Sequence, residues 1–151
     1  MKTDWDLRFM KLADYIAQWS KDRSTKIGAV IVIDNNPVSM GYNGFPRGVN
    51  DDLEERHARP TKYDWVLHGE ENAIMNAARH GAKTLGSTLY VNWFPCSKCA
   101  GMIINAGIIR VVCDKEPDFN DERYGKSWQI AVEKLNEAHI QITYLNYDAN
   151  R

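Results

Sequence analysis

The sequence predicts an α/β fold in which a five-stranded mixed sheet lies between layers of helices. The chain of 151 residues is about the size of one domain, and its 44% hydrophobic and 26% charged residues are typical of a globular protein with a real core. Two apolar strand patterns form a hairpin, and helical patterns then alternate with apolar strands. That alternation is typical of a mostly parallel sheet, which the hairpin makes mixed. Residues 1–151 are therefore expected to form a single domain.

The first elements along the chain are an amphipathic helix and the hairpin. Apolar side chains recur every three or four positions, which predicts a helix with one face in the core. These side chains belong to Trp5, Phe9, Leu12, Ile16 and Trp19. Residues 28–34 (GAVIVID) are typical of a buried strand, and residues 37–43 (PVSMGYN) of its partner after a turn at 35–37.

Residues 44 to about 64 are polar and rich in Gly, Pro and charge, which predicts a long functional loop. Beyond it, helical and strand patterns alternate. We expect helices at about 68–80, 95–107 and around 128–135, and strands at 87–93, 108–114 and 139–145.

Composition excludes several classes of protein. The net charge of -1 and the pI of about 6.4 argue against a binder of long nucleic acids, but a small anionic ligand needs only a few local cations. No segment approaches the roughly 18 apolar residues of a membrane span, and the charged N-terminus lacks a signal-peptide core. Two of the three cysteines lie in a C-x-x-C, which favours metal chemistry in a reducing cytoplasm over a disulfide scaffold.

Two short motifs carry the candidate chemistry, and each is expected to begin a helix. They are His68-Gly69-Glu70 and Pro95-Cys96-Ser97-Lys98-Cys99. Cys96 and Cys99 are three residues apart and share a helix face, where the helix N-terminus favours the thiolates that bind metal. His68 is the candidate third ligand, so the motifs predict a Zn²⁺ site.

Three protein ligands leave one position of a tetrahedral zinc open, which is typical of a catalytic site. Glu70 is the candidate proton carrier because it lies two residues from His68. The layout H-x-E followed by P-C-x-x-C is the signature of zinc-dependent deaminases. A structural zinc site would need a fourth ligand, for which Cys113, His57, His80 and His139 are the candidates, and a thioredoxin-like redox role would leave His68 and Glu70 without a purpose.

The chain resembles the deoxycytidylate (dCMP) deaminases of the cytidine deaminase superfamily. The resemblance is carried by IGAVIV (27–32), GYNGFPRG (41–48), KYDWVLHGEENAIMNAA (62–78), TLYVNWFPCSKCA (88–100) and IINAGIIRVV (103–112). It implies a three-layer α/β/α cytidine-deaminase-like fold and hydrolysis of dCMP to dUMP and ammonia in pyrimidine deoxynucleotide metabolism, toward dTTP. It also implies a homo-oligomer, often a hexamer, that dCTP activates and dTTP inhibits.

The resemblance also assigns roles to individual residues. His68, Cys96 and Cys99 match the zinc ligands, and Glu70 matches the general acid and base. The substrate contacts it implies are Asn43 to the sugar, the Gly69 N–H to the base, Ser24 and Lys26 to the phosphate, and Tyr124 closing over the substrate. Gly69 departs from the usual H-A-E of the family.

Residues 44–52 (GFPRGVNDD) resemble the family's loop for the regulatory nucleotide. The residues expected to contact that nucleotide are Gly44, Phe45, Arg47, Gly48 and Asp51, where Asp51 or Asp52 could hold a Mg²⁺ ion on its phosphates. The alternative interpretation is an ordinary solvated loop.

Two other functions stay open at this point. A tRNA adenosine deaminase shares the zinc motif but needs a basic surface, which the net charge argues against. A non-catalytic zinc module would bind partners through the loop and the exposed members of its five Trp and seven Tyr.

Overall fold

The computed structural model describes residues 4–147 of the chain. The helices are α1 (Trp5–Ala17), α2 (Lys62–Trp65), α3 (Gly69–His80), α4 (Ser97–Asn105) and α5 (Gly125–Glu137), and the strands are β1 (Gly28–Ile33), β2 (Asn36–Tyr42), β3 (Thr88–Val91), β4 (Arg110–Cys113) and β5 (Gln141–Tyr144). The predicted order of helices and strands is confirmed. The segment from 44 to about 64, predicted as a long loop, differs in part, because it contains a 3₁₀ turn at Glu54–Arg56 and the start of α2.

The five strands form one mixed sheet in the order β2-β1-β3-β4-β5. The predicted hairpin of β1 and β2 is present, and β3, β4 and β5 pair in parallel. β1 also pairs antiparallel with β3, so two of the four strand pairs are antiparallel. The predicted mixed sheet is confirmed, because β1 runs opposite to β2, β3, β4 and β5, which all run in the same direction.

Alternate residues of the central strands face two different helical layers. On one side, Val30, Val32, Tyr90 and Val112 pack against α1. On the other side, Ala29, Ile31, Leu89, Val91, Val111 and Cys113 join a core that includes α3, α4 and α5. The predicted three-layer α/β/α arrangement is therefore confirmed. Within residues 4–147, none of the helices combines the length and the apolar character that crossing a membrane requires.

The apolar stripe of α1 is only partly core. Phe9 and Ile16 are buried under the sheet, as the periodicity predicts. Trp5 and Trp19 are 40% and 52% exposed, so the expectation that the whole stripe is core was wrong at its two ends. Trp19 follows the last helical residue and contacts the ring of Tyr42 on β2, with ring centroids 6.1 Å apart. This places an aromatic surface beside the start of the segment that follows β2.

The turn of the hairpin lies one residue earlier than the sequence suggests. Asp34 and Asn35 adopt φ values of 52° and 57°, and Asn36 already begins β2. A two-residue turn with both φ values positive suits the twist of a hairpin, and Asn and Asp tolerate it better than other residues with a side chain. Pro37 is tolerated in β2 because this strand lies at the edge of the sheet.

Gly41 lets α3 lie directly on β2, and this contact supports the candidate site. A Cβ atom at Gly41 would come within 2.2 Å of the Ala73 nitrogen and 2.6 Å of the Gly69 carbonyl oxygen. Gly41→Ala is therefore expected to push α3 away from the sheet and to lower the free energy of unfolding by about 1–3 kcal/mol or more. Urea unfolding of the two proteins measures the difference.

Gly101→Ala is the matched control for this prediction. Its new Cβ atom would contact only the end of the Lys134 side chain, at 3.9 Å, and replacing glycine inside α4 favours the helix by about 0.5–1 kcal/mol. Equal stability of the two variants would contradict the proposed role of Gly41.

Candidate metal centre and its cavity

The two chemical motifs begin two neighbouring helices of the same layer. His68 is the N-cap of α3 and Cys96 is the N-cap of α4, and both have extended backbones that turn into the helix. Cys96 Sγ accepts a hydrogen bond from the Cys99 N–H at 3.4 Å, which satisfies one of the free donors of the first turn. The N-termini of α3 and α4 therefore bring the side chains of His68, Cys96 and Cys99 together, as predicted.

The three candidate ligand atoms are close enough to share one ion. His68 Nδ1 lies 3.5 Å from Cys96 Sγ and 3.3 Å from Cys99 Sγ, and all three atoms lie within 4.8 Å of one another. A tetrahedral zinc ion with its usual bond lengths holds a nitrogen and a sulfur ligand about 3.6 Å apart. One imidazole and two thiols also form a donor set that zinc favours. The residues therefore fit Zn²⁺.

No fourth ligand joins this group among the described residues. The four candidates for a structural site, Cys113, His57, His80 and His139, are not part of it, and Cys113 is a buried core residue. A hydrogen bond from Cys99 and another with His68 lower the pKa of the Cys96 thiol to about 4 and so favour the thiolate form that binds metal. Three protein ligands and one free position are the arrangement of a catalytic zinc site.

Glu70 lies in the first turn of α3 and is almost completely buried, with 2% of its surface exposed. Its Oε2 atom is buried and has no hydrogen-bond partner within the described structure. Burial raises the pKa of this carboxyl group to about 7, although the nearby His68 opposes the shift. A carboxyl group with this pKa can both accept and return a proton near neutral pH.

Glu71 supports His68, a role that the sequence reasoning missed. Its side chain is buried and accepts a hydrogen bond from the His68 N–H at 3.3 Å, while Oε1 lies 3.9 Å from His68 Nδ1. In a capping box, a glutamate three residues after the N-cap accepts a hydrogen bond from the backbone N–H of the N-cap residue, as Glu71 does here. Once His68 is taken as the N-cap, the sequence contains that signal.

An open cavity leads to the candidate metal centre. Its lining includes the predicted residues Asn43, His68, Glu70, Cys96 and Tyr124. The remaining lining residues are Asp22, Thr25, Ile27, Arg59, Lys62, Tyr63, Val66, Trp93, Phe94 and Trp128. We call this space the metal-site cavity. Ser24, Lys26 and Gly69 are not among its described lining residues, so their substrate contacts stay predictions.

Asn43 connects two segments beside this cavity. Its Oδ1 accepts a hydrogen bond from the Ile27 N–H at 2.8 Å, and its Nδ2 donates to the Thr25 carbonyl at 2.9 Å. Only 7% of Asn43 is exposed. Because an amide oxygen has two lone pairs and an amide nitrogen two hydrogens, each group can still make one more hydrogen bond. The structural role of Asn43 is therefore compatible with the predicted contact with a sugar.

Gly69 packs closely against the same segment. A Cβ atom there would lie 3.0 Å from Ile27 Cγ2 and 3.2 Å from the Ile27 carbonyl oxygen, which also accepts the Asn43 N–H. The glycine at this position of the motif thus gives Ile27 the space that an alanine would take. Its own N–H lies at the start of α3, where a helix has no internal acceptor for it.

A second and larger cavity, of about 170 Å³ against about 100 Å³, shares the lining residues Asp22, Lys62 and Val66 with the metal-site cavity. It is lined by Trp19, Lys21, Asp22, Arg23, Tyr42, Gly44, Phe45, Arg47, Asp51, His57, Lys62, Val66, Asn72 and Asn76. We call it the loop cavity. Four of the five residues predicted to contact a regulatory nucleotide lie here, and Gly48 does not.

One ion pair lies in the wall that the two cavities share. Lys62 Nζ contacts Asp22 Oδ2 at 3.0 Å, and both side chains are about nine-tenths buried. Asp22 Oδ1 also accepts the N–H groups of Ser24 and Thr25 at 2.8 and 3.0 Å. Burial alone would raise the pKa of Asp22, but these N–H groups and Lys62 hold it below its usual value.

Comparisons with known proteins agree with this geometry. Residues 3–115 match the family model described as the cytidine and deoxycytidylate deaminase zinc-binding region. The chain is 39% identical over 150 residues to an uncharacterized deaminase of Aliivibrio fischeri, with 98% of each chain covered. It is 41% identical over 138 residues to the deoxycytidylate deaminase of Mus musculus, with 87% of this chain and 73% of the mouse protein covered.

A solved structure has the same fold. The dCMP deaminase of cyanophage S-TIM5, in complex with dCMP and dUMP, superposes with a TM-score of 0.77 at 27% identity. The superposition covers 95% of this chain and 98% of the phage protein.

Proposed function

The chain belongs to the cytidine and deoxycytidylate deaminase family, and we propose that it hydrolyses dCMP to dUMP and ammonia. The observation that carries the proposal is the buried Glu70 carboxylate, whose Oε2 atom has no hydrogen-bond partner within the described structure, together with three converging metal ligands at one open cavity. The relatives that are named deoxycytidylate deaminases support the choice of substrate.

The described residues divide the chemistry between them. His68, Cys96 and Cys99 would hold zinc, which supplies an acidified water molecule for attack at C4 of the cytosine ring. Glu70 Oε2 takes a proton from the attacking water and delivers it to the departing amine. Asn43 contacts the sugar and Tyr124 closes the cavity behind the substrate. The Gly69 N–H, at the start of α3, contacts the base.

The experiment that tests this function compares several substrates on one preparation. Zinc-loaded protein is incubated with dCMP, dCTP, cytidine and a tRNA, and the loss of cytosine absorbance or the formation of inosine is followed. We expect rapid formation of dUMP. Inosine in the tRNA would instead establish the adenosine deaminase, and zinc binding without turnover of any substrate would establish the non-catalytic module.

The regulatory part of the proposal rests on the loop cavity. Lys21, Arg23 and Arg47 supply positive charge there, and Phe45 lies beside His57 with ring centroids 5.1 Å apart, which suits a polyphosphate and a base. Asp51, the proposed ligand of a Mg²⁺ ion on the phosphates, is paired with Lys21 at 2.8 Å. Bound Mg²⁺ would therefore replace Lys21 as its partner.

We expect dCTP with Mg²⁺ to lower the dCMP concentration at half-maximal rate, and dTTP to raise it. Effector couplings are usually about 5- to 150-fold. Saturation curves with and without each nucleotide measure both effects. Arg47→Ala is expected to weaken the response because it removes a cation of the loop cavity, whereas Arg79→Ala on α3 is expected to retain it. Superimposable curves for the unmodified protein with and without effectors would refute the regulation.

The remaining elements of the proposal concern the cellular setting. Residues 1–151 act as one deaminase domain, copies of the chain assemble as a homo-oligomer such as a hexamer, and the enzyme works in the cytoplasm on the pyrimidine nucleotides that lead to dTTP. Light scattering of the purified protein tests the assembly.

A further inference from the structure

We infer that Arg59 binds the 5′-phosphate of the substrate and thereby makes the enzyme prefer a nucleoside monophosphate to a nucleoside. This inference rests on the proposed function and deepens it. Arg59 belongs to none of the motifs that identify the metal centre, and nothing in its sequence context suggests a role. It lines the metal-site cavity together with Glu70 and Asn43.

Among the charged residues that line the metal-site cavity, Arg59 is the cation that has no partner within residues 4–147 and can therefore bind an anion. His68 and Cys96 belong to the metal-ligand group, and Glu70 is the proton carrier. Lys62 is buried, and its ammonium group is engaged with both oxygens of Asp22, at 3.0 and 3.3 Å. Arg59 is exposed, and within residues 4–147 no hydrogen bond or ion pair engages its guanidinium group.

The residues first expected at the phosphate are less suited to it. The N–H groups of Ser24 and Thr25 already donate to Asp22 Oδ1 at 2.8 and 3.0 Å. The Lys26 side chain is not among the described residues that line the cavity, and its carbonyl oxygen accepts a hydrogen bond from Asn92. Neither segment therefore presents an unused cation to the cavity.

The shape of a nucleotide places the phosphate away from the metal ligands. The base must reach Glu70 and the metal centre, and the sugar lies between the base and the phosphate. The phosphate must then meet lining residues outside the metal-ligand group, and Arg59 is the one among them whose cation has no partner within residues 4–147. A guanidinium group binds the oxygens of a phosphate dianion through two parallel hydrogen bonds, so Arg59 is the matching group among them.

The effect of Arg59 should depend on the phosphate and on nothing else in the substrate. Arg59→Ala is expected to lower kcat/KM for dCMP by about 10- to 100-fold, mainly through KM, because a charged hydrogen-bonded contact is lost at an exposed position. Activity toward deoxycytidine, measured at high enzyme concentration, should not change. Arg59→Lys keeps the charge and should recover part of the loss.

The experiment uses zinc-loaded protein in four forms: unmodified, Arg59→Ala, Arg59→Lys and Arg79→Ala. Arg79 is an exposed arginine of α3 outside both cavities, and its variant should match the unmodified protein on both substrates. A loss for dCMP alone supports the inference. An equal loss on dCMP and deoxycytidine, or no loss on either, would overturn it.

A binding measurement separates this inference from the proposed function. If the unmodified protein converts neither substrate, the proposed function fails, and calorimetry with dUMP and deoxyuridine then decides the role of Arg59. Weaker binding of dUMP by Arg59→Ala, with binding of deoxyuridine unchanged, supports the inference. Equal binding of dUMP by the two proteins, or no binding of dUMP by the unmodified protein, overturns it.

Discussion

Replacing Glu70 with alanine is expected to lower kcat for deamination by about 10²- to 10⁴-fold while zinc stays bound. The substitution removes the buried carboxylate that lines the cavity in the same helix as His68, and it leaves His68, Cys96 and Cys99 in place. With a pKa raised to about 7, Glu70 exchanges protons readily near neutral pH, and no other described group of the cavity combines that pKa with burial. Turnover of dCMP and zinc content of the same sample are the two measurements.

Two further variants make this result specific. Glu70→Gln keeps the shape of the side chain but cannot carry the proton, so it should lose about as much activity as alanine. Glu137→Ala removes an exposed carboxylate from the end of α5 and should retain full activity. Substantial turnover by both Glu70 variants would rule out the proposed proton carrier.

Cys99→Ser is expected to abolish both zinc binding and turnover. Cys99 is completely buried and supplies one of the three ligand atoms found within residues 4–147, so its loss leaves too few donors for a stable zinc site. Since zinc binds the folded protein, the unmodified protein should also melt at a higher temperature with zinc than after chelation. The variant should show no such difference.

Cys113→Ala provides the comparison for that variant. Cys113 is also a completely buried cysteine, but it lies on β4 and does not belong to the ligand group. It should keep its zinc, with only the modest loss of stability that a small cavity causes. Metal content is measured with a colorimetric chelator. A Cys99→Ser protein that still holds zinc at full occupancy would show that the ligand set is wrong.

The metal centre was predictable because its information is local. His68 and Cys96 each begin a helix directly after extended chain, and this arrangement can be read from a few neighbouring residues. The burial of Glu70 follows once α3 lies on the sheet. The helix and strand order was predictable for a similar reason, since apolar periodicity depends on neighbours along the chain.

What the sequence did not reveal depends on contacts between distant segments. The antiparallel pairing of β1 with β3 joins residues about sixty positions apart, and no local pattern encodes the partner of a strand. Arg59 is likewise an ordinary polar loop residue until the fold brings it to the cavity that Glu70 also lines. Asn43 was predicted as a substrate contact, but its hydrogen bonds to the 25–27 segment could be seen only in three dimensions.

The Asp22–Lys62 pair lines both cavities and therefore contributes to the electrostatic potential in each of them. Lys62 is a single charge that faces both spaces, so neutralising it removes positive potential from both at once. By thermodynamic linkage, if an anion in the loop cavity changes the affinity of a ligand for the metal-site cavity, that ligand changes the affinity of the anion by the same factor. An anion that binds in one cavity is therefore expected to change the affinity for an anion in the other.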